Sequence, residues 1–303
     1  MRSKFLCAVP AAVFVLMSQA QPGASAPFRY EGVCEASAAA KLDETHFVVA
    51  SDETEQLTIY ERGNPKPVGT ITHPDVTDIE AATRIDDTIF WLTSHSLNKD
   101  GVDKKKRKIL FATHVANGSL AASGSDFRDL RSRLASILGQ DEVKLSKTLN
   151  VEGLASTPEG DLLIGLRSPL DGAKKALVVK VSDPLALVGE NGPTGSGSVK
   201  IAVVSALELD GRGIRSIERV GEGAHAFLIV AGSVEDNGPS PRLFWWDGAE
   251  GITKGPEVSF AGITPEAMII WDEHHVQIFG DNGDTCSDTK SKSRWFPSID
   301  ATF

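Results

Sequence analysis

The sequence predicts an all-β chain folded as a five-bladed β-propeller with one inserted helix. Three observations predict it. Short β-rich segments split by Gly/Asp turns recur along the chain, the pattern of antiparallel strands. The segments group into copies that open alike, with a charged residue at positions 35, 80, 152, 215 and 266. A unit of about 40–45 residues with four strands is the repeat of a propeller, and radial repetition protects the edges of an all-β chain.

The copies follow in order. Cys34-Glu35-Ala36-Ser37 leads to His46–Ala50 and Leu57–Tyr60. Ile79-Glu80-Ala81-Ala82-Thr83 leads to Ile89–Thr93 and Ile109–Ala112. Asn150-Val151-Glu152-Gly153-Leu154-Ala155-Ser156 leads through Pro158-Glu159-Gly160-Asp161 to Leu162–Arg167 and Ala176–Val181. Ile214-Arg215-Ser216-Ile217 leads to Ala226–Val230 and Leu243–Trp246, with arginine in place of glutamate. Pro265-Glu266-Ala267-Met268-Ile269 leads to Val276–Phe279. The last copy is too short for a full blade. Residues 21–30 supply the missing strand through Phe28-Arg29-Tyr30, so the chain's own start closes the ring. Six blades, with the extra one inside the long gap after residue 80, are the alternative.

That gap carries the inserted helix near 125–139. Ser125 is its expected cap. Phe127, Leu130, Leu134, Ile137 and Leu138 form one apolar stripe for packing against blades, and Gly139 ends it. Lys104-Lys105-Lys106-Arg107-Lys108 reads as the edge of a solvated hairpin. Trp245 and Trp246 alternate faces, which puts one in the core and leaves the other exposed, and His274-His275 open a strand facing solvent.

Residues 1–20 read as a secretory signal: Arg2 and Lys4, then the apolar run Phe5–Met17, then Ser18-Gln19-Ala20 as the cleavage site. Residues 21–303 form the single propeller domain, expected in the periplasm or secreted. In that oxidising setting Cys34 and Cys286 are expected to form a disulfide. They flank the seam between first and last blades on the same face. The full chain has 303 residues, 31 basic against 41 acidic, and a formal charge of −10. This acidity excludes nucleic acid and anionic membrane as main partners, and no run is long enough for stable membrane insertion.

Several segments together carry a resemblance: Tyr30-Glu31-Gly32-Val33-Cys34-Glu35-Ala36, Ile79-Glu80-Ala81-Ala82-Thr83 with Thr93-Ser94-His95, Val151-Glu152-Gly153-Leu154-Ala155, and Gly211–Glu218. Over nearly all of residues 28–303 the chain resembles a bacterial family of exported domain-of-unknown-function proteins of propeller type. This implies the fold and no particular activity. Glu152-Gly153-Leu154-Ala155 alone is similar to an element of phytase-like (esterase-like) propellers, which implies phosphoester hydrolysis.

In a propeller the innermost strands line a central channel. Glu35, Glu80, Glu152, Arg215 and Glu266 are therefore expected as a ring at one mouth. Asp52, His95, Arg167 and Asp281 form a second tier, because each following strand returns to that face. Four close carboxylates need compensation. A hard cation among Glu35, Glu80, Glu152 and Glu266 supplies it, calcium or another divalent ion. Bidentate pairing with Arg215 and Arg167 also supplies it, and so does protonation. The expected function is binding of a small polar ligand or cation at this acidic mouth, by the ring together with His95 and Arg167. Two other classes fit the sequence. One is a metal-assisted hydrolase of phosphate esters or lactones; the other is an interaction scaffold whose ring is structural. There is no Gly-x-Ser-x-Gly elbow and no His-Glu-x-x-His helix. Asp281-Asn282-Gly283-Asp284 lacks the full calcium-loop pattern and reads as a turn.

Overall fold

A computed structural model describes residues 27–52, 54–116, 118–189, 199–235, 237–281 and 294–303. The first strand, β1 (Phe28–Glu31), belongs to the last blade. Blade one holds β2 (Ala38–Lys41), β3 (His46–Ala50), β4 (Gln56–Glu61) and β5 (Pro67–Thr72). Blade two holds β6 (Ile79–Ile85), β7 (Thr88–Thr93), β8 (Leu110–Ala116) and β9 (Ser119–Phe127). Blade three holds β10 (Asn150–Ser156), β11 (Leu162–Ser168), β12 (Ala176–Val181) and β13 (Ile201–Leu207). Blade four holds β14 (Gly213–Arg219), β15 (Phe227–Gly232), β16 (Arg242–Trp246) and β17 (Ile252–Lys254). Blade five holds β18 (Thr264–Asp272), β19 (His275–Asp281) and β20 (Trp295–Thr302), with β1 outermost. All pairings are antiparallel, and β1 joins β20 through Phe28↔Ser298 to Glu31↔Trp295. The ring has five blades, closed by the N-terminal strand as the short last copy implied.

The innermost strands touch in a closed circuit: β2 with β6, β6 with β10, β10 with β14, β14 with β18, and β18 with β2. Each seam between neighbouring blades has its own apolar core. Val48 and Trp91 sit in the core between blades one and two, and Phe90 and Ile164 in the next. Leu163 and Ile229 follow, then Val230 and Ile278, and finally Phe47 and Phe279. The middle strands are buried on both faces, so they read as continuous apolar runs such as Phe227-Leu228-Ile229-Val230.

The helical insertion is α1 (Leu130–Ile137), followed by two single-turn helices, α2 (Glu142–Leu145) and α3 (Leu185–Val188). Leu130, Leu134, Leu187 and Val188 enlarge the core between blades two and three. The helix begins later than its apolar stripe suggests. Phe127 belongs to β9, paired with Leu110, and Asp129 holds the cap position; Ser125 donates instead to the Gly189 carbonyl at 3.3 Å. Gly139, at φ 63°, follows the helix end as expected. Trp245 and Trp246 are both buried, because Trp245 stacks on His225 and meets Phe303 edge-on. Cys34 is buried beside the seam; Cys286, residues 1–20 and Asn282-Gly283-Asp284 lie outside the described residues. Among the described residues no helix is long and apolar enough to cross a membrane.

Candidate functional site

The repeated charged residue sits on a β-bulge in four of the five inner strands. Pairing with the second strand skips one residue between Ile79 and Ala81, Val151 and Gly153, Ile214 and Ser216, and Pro265 and Ala267. The skipped residues are Glu80, Glu152, Arg215 and Glu266. A bulge leaves its extra residue out of the ladder and re-aims its side chain, here into the mouth of the channel. The residue after each bulge is small: Ala81, Gly153, Ser216 and Ala267. Gly153 shows why. A Cβ there would lie 2.7 Å from Ile214 of the next blade, and one on Gly165 would lie 2.6 Å from the same side chain. The Glu-Gly-Leu-Ala element thus has a packing reason for its glycine.

Blade one departs from the expected alignment. Ala38 pairs with Ala50, and the Ser37 N–H donates to that same Ala50 carbonyl at 3.1 Å. Ala38 is thus paired in the ladder, and β2 shows no skipped residue among its pairings with β3. Glu35 lies ahead of β2, half-buried, and is not one of the carboxylates that close to within 4.8 Å of one another.

One carboxylate oxygen from each of Glu80, Glu152 and Glu266 lies within 4.8 Å of the others, and the same holds for Asp52, Asp78 and Glu80. Glu80 joins the two groups into a row of five acids. Arginines answer part of it. Arg167 reaches Glu152 Oε1 at 2.7 Å, where Asn150 also donates at 2.8 Å. Arg215 donates to Glu266 and stands 3.8 Å from Glu152 Oε2. Arg107 reaches Asp78 Oδ1 at 2.6 Å, and the Ser94 hydroxyl donates to the other oxygen. Glu152 Oε2 and Asp52 Oδ1 are buried with no hydrogen-bond donor among the described residues.

These surroundings move three of the acids upward. Burial, then repulsion from Asp78, Glu152, Asp52 and Glu266, holds the Glu80 carboxyl well above the ordinary range. Burial pushes Glu266 up to about 8 against the opposing pull of Arg215. Asp78 rises to about 6, again through burial, with Arg107 and Ser94 pulling down. Burial also drives His95 down to about 4. Its Nδ1 faces the Thr93 carbonyl at 2.9 Å, and its Nε2 has no partner among the described residues. His95 is thus a buried neutral ring outside both carboxylate groups, with Arg131 and Lys108 as its charged neighbours.

Asp78 and Arg107 were not expected at the site. Asp78 precedes the repeat in a loop, at φ 63°, where periodicity carries no signal. Arg107 hides in the basic run: Lys106 and Lys108 pair with acids at 37–41% side-chain exposure, whereas Arg107 turns inward to an Asp78 side chain only 6% exposed. Beside the acid row a cavity of about 660 Å³ runs between Arg167, Arg215, Ser233, Ser240, Phe260 and Ile263.

Fold and site together define a five-bladed β-propeller with an acidic axial mouth. The chain is similar in structure to glutaminyl cyclase of Myxococcus xanthus, at 11% identity and a TM-score of 0.50, over 92% of this chain and 97% of that one. A luciferin-regenerating enzyme aligns at 6% identity and a TM-score of 0.44, over 91% and 95% of the two chains. The first likeness agrees with the propeller fold. No family model and no curated protein matches the sequence.

Proposed function

We propose that the chain binds a divalent cation, calcium or one of similar hardness, at the axial acid row. One observation carries this reading. Five carboxylates (Asp52, Asp78, Glu80, Glu152 and Glu266) meet three guanidiniums (Arg107, Arg167 and Arg215), which leaves Asp52 and Glu80 without a cation among the described residues. The residual charge matches one divalent ion. The spacing suits it too, since two oxygens on one calcium lie up to about 5 Å apart. The orphaned Glu152 Oε2 and Asp52 Oδ1 are acceptors of the kind such an ion satisfies. Without an ion, protons take its place, which is what the raised Glu80 and Glu266 carboxyls express.

Thermal shift with calcium after chelator treatment, backed by metal analysis of purified protein, tests the proposal. Calcium is expected to raise Tm by several degrees at pH 8 and by much less at pH 5.5, where protons compete. Glu80→Gln is expected to abolish the shift while leaving the protein folded. A shift of native size in Glu80→Gln leaves the arginine-closed ring as a purely structural scaffold.

A second reading, a metal-assisted hydrolase of phosphate esters or lactones, draws on the cavity of about 660 Å³ that borders Arg167 and Arg215 beside the row. An ion at the acid row would polarise a substrate oxygen, and turnover of a phosphoester and lactone panel only with calcium present is its test.

Export, with cleavage after Ala20, supports a Cys34–Cys286 disulfide as part of the same proposal. Cys34 is buried. A free-thiol assay on unreduced, denatured mature protein is expected to find no reactive thiol, and two per chain overturns the pairing.

A further inference from the structure

The channel has a second mouth, and its chemistry is the reverse of the first. A cavity of about 370 Å³ there draws on every innermost strand: Lys41 of β2, Arg84 of β6, Ser156 of β10, Glu218 and Arg219 of β14, and Ile269 of β18. Arg84 and Ser156 lie four residues beyond Glu80 and Glu152, about 13 Å along their strands. The cavity is therefore coaxial with the acid row and separate from it.

Its lining is cationic. Lys41 is held by Glu44 at 3.0 Å and the Trp271 carbonyl at 3.2 Å, and Arg84 by the Leu42 carbonyl and by Asp87 at 3.4 Å. Both Glu44 and Asp87 are solvent-exposed, at 88% and 69% of the side chain, so they screen these charges weakly from the interior. Three polar groups on the wall have no side-chain partner among the described residues: the Arg219 guanidinium, the Ser156 hydroxyl and the Glu218 carboxyl. Burial alone holds Glu218 well above the ordinary carboxylate range. The remaining wall is apolar, through Ile269, Ile270, Val220 and Ala40.

We propose that this second mouth binds a small organic carboxylate, its two oxygens held by Arg219 and Ser156 and its hydrocarbon against Ile269 and Ile270. The Arg219 guanidinium and the Ser156 hydroxyl can donate, and a planar carboxylate accepts from a guanidinium in two parallel bonds. An amine would enter among three cations, Lys41, Arg84 and Arg219. Inorganic phosphate would leave the apolar wall unused.

Calorimetric titration of the mature protein with hexanoate, hexylamine and inorganic phosphate tests this. Hexanoate is expected to saturate at millimolar concentration or below and to bind more tightly than the other two. Arg219→Ala, at an exposed position that the fold does not need, is expected to weaken hexanoate roughly tenfold. Glu80→Gln at the far mouth is expected to stay within about twofold. Failure of hexanoate to saturate, tighter binding of hexylamine or phosphate, or an affinity untouched by Arg219→Ala each overturns the proposal.

Discussion

Replacing Tyr30 by alanine is expected to destabilise the propeller by about 4 kcal/mol or more. Tyr30 is fully buried at the seam that closes the ring. Its ring centroid lies 4.8 Å from Phe28 and 5.2 Å from each of Phe47, Tyr60 and Phe296. Phe47 and Tyr60 belong to blade one and Phe296 to blade five, so one side chain of β1 joins both blades. Its hydroxyl accepts from Gly63 N–H and from Gln277 Nε2, each at 3.1 Å. Removing the side chain empties a large volume in the aromatic cluster and leaves two buried donors weaker. Tyr30→Phe keeps the packing and loses only the acceptor, so about 1–2 kcal/mol is expected. Denaturant unfolding of the three proteins at equal m-value checks the difference. A loss below about 1 kcal/mol for Tyr30→Ala would mean that the ring does not depend on its N-terminal strand.

The five blades and their closure could be read from the sequence because both follow from counting. Each copy carries two or three apolar runs separated by turn residues, and the last copy lacks one. Which residue of each copy faces the channel is harder, since it hangs on a one-residue bulge. Strand periodicity is two, so a single inserted residue reverses the inward set. Four copies matched because glutamate or arginine marks the bulge itself. In blade one Glu35 stands three residues ahead of the first paired residue, Ala38, and letter matching chose it although β2 skips no residue. The helix start failed for a related reason: Phe127 and Leu130 satisfy helical spacing while the chain between them passes from strand to helix. Asp52 and Arg167 were visible as strand-end neighbours. Asp78 and Arg107 were not, because a loop acid and one member of a basic run look like solvated surface until the fold brings them together.

Replacing Arg215 by methionine is expected to destabilise the protein by about 3–5 kcal/mol at pH 8, because it strands buried carboxylates while nearly preserving volume. Arg215 donates to Glu266 and attracts Glu152, and charge among these acids is the quantity at stake. In the native protein Glu266 keeps its proton up to about pH 8, against an ordinary value of 4.5. The folded state therefore binds more protons than the unfolded chain between those values, and stability falls as pH rises through the window. Asp78 acts the same way between 3.8 and about 6. His95 acts oppositely between about 4 and 6.5, since its buried neutral ring resists protonation. Above pH 6.5 the carboxyls alone remain, and each proton released there costs about 1.4 kcal/mol per pH unit. Without Arg215, Glu266 holds its proton to still higher pH. The Arg215→Met deficit should thus shrink at pH 5.5, and Glu266→Gln in the same chain should recover part of it at pH 8. Unfolding titrations of both variants at the two pH values decide this. A deficit independent of pH, or no recovery from Glu266→Gln, would assign Arg215 to packing rather than to charge. Calcium added to the native protein is expected to remove most of the decline between pH 6.5 and 8, because an ion that neutralises the row makes the protons unnecessary.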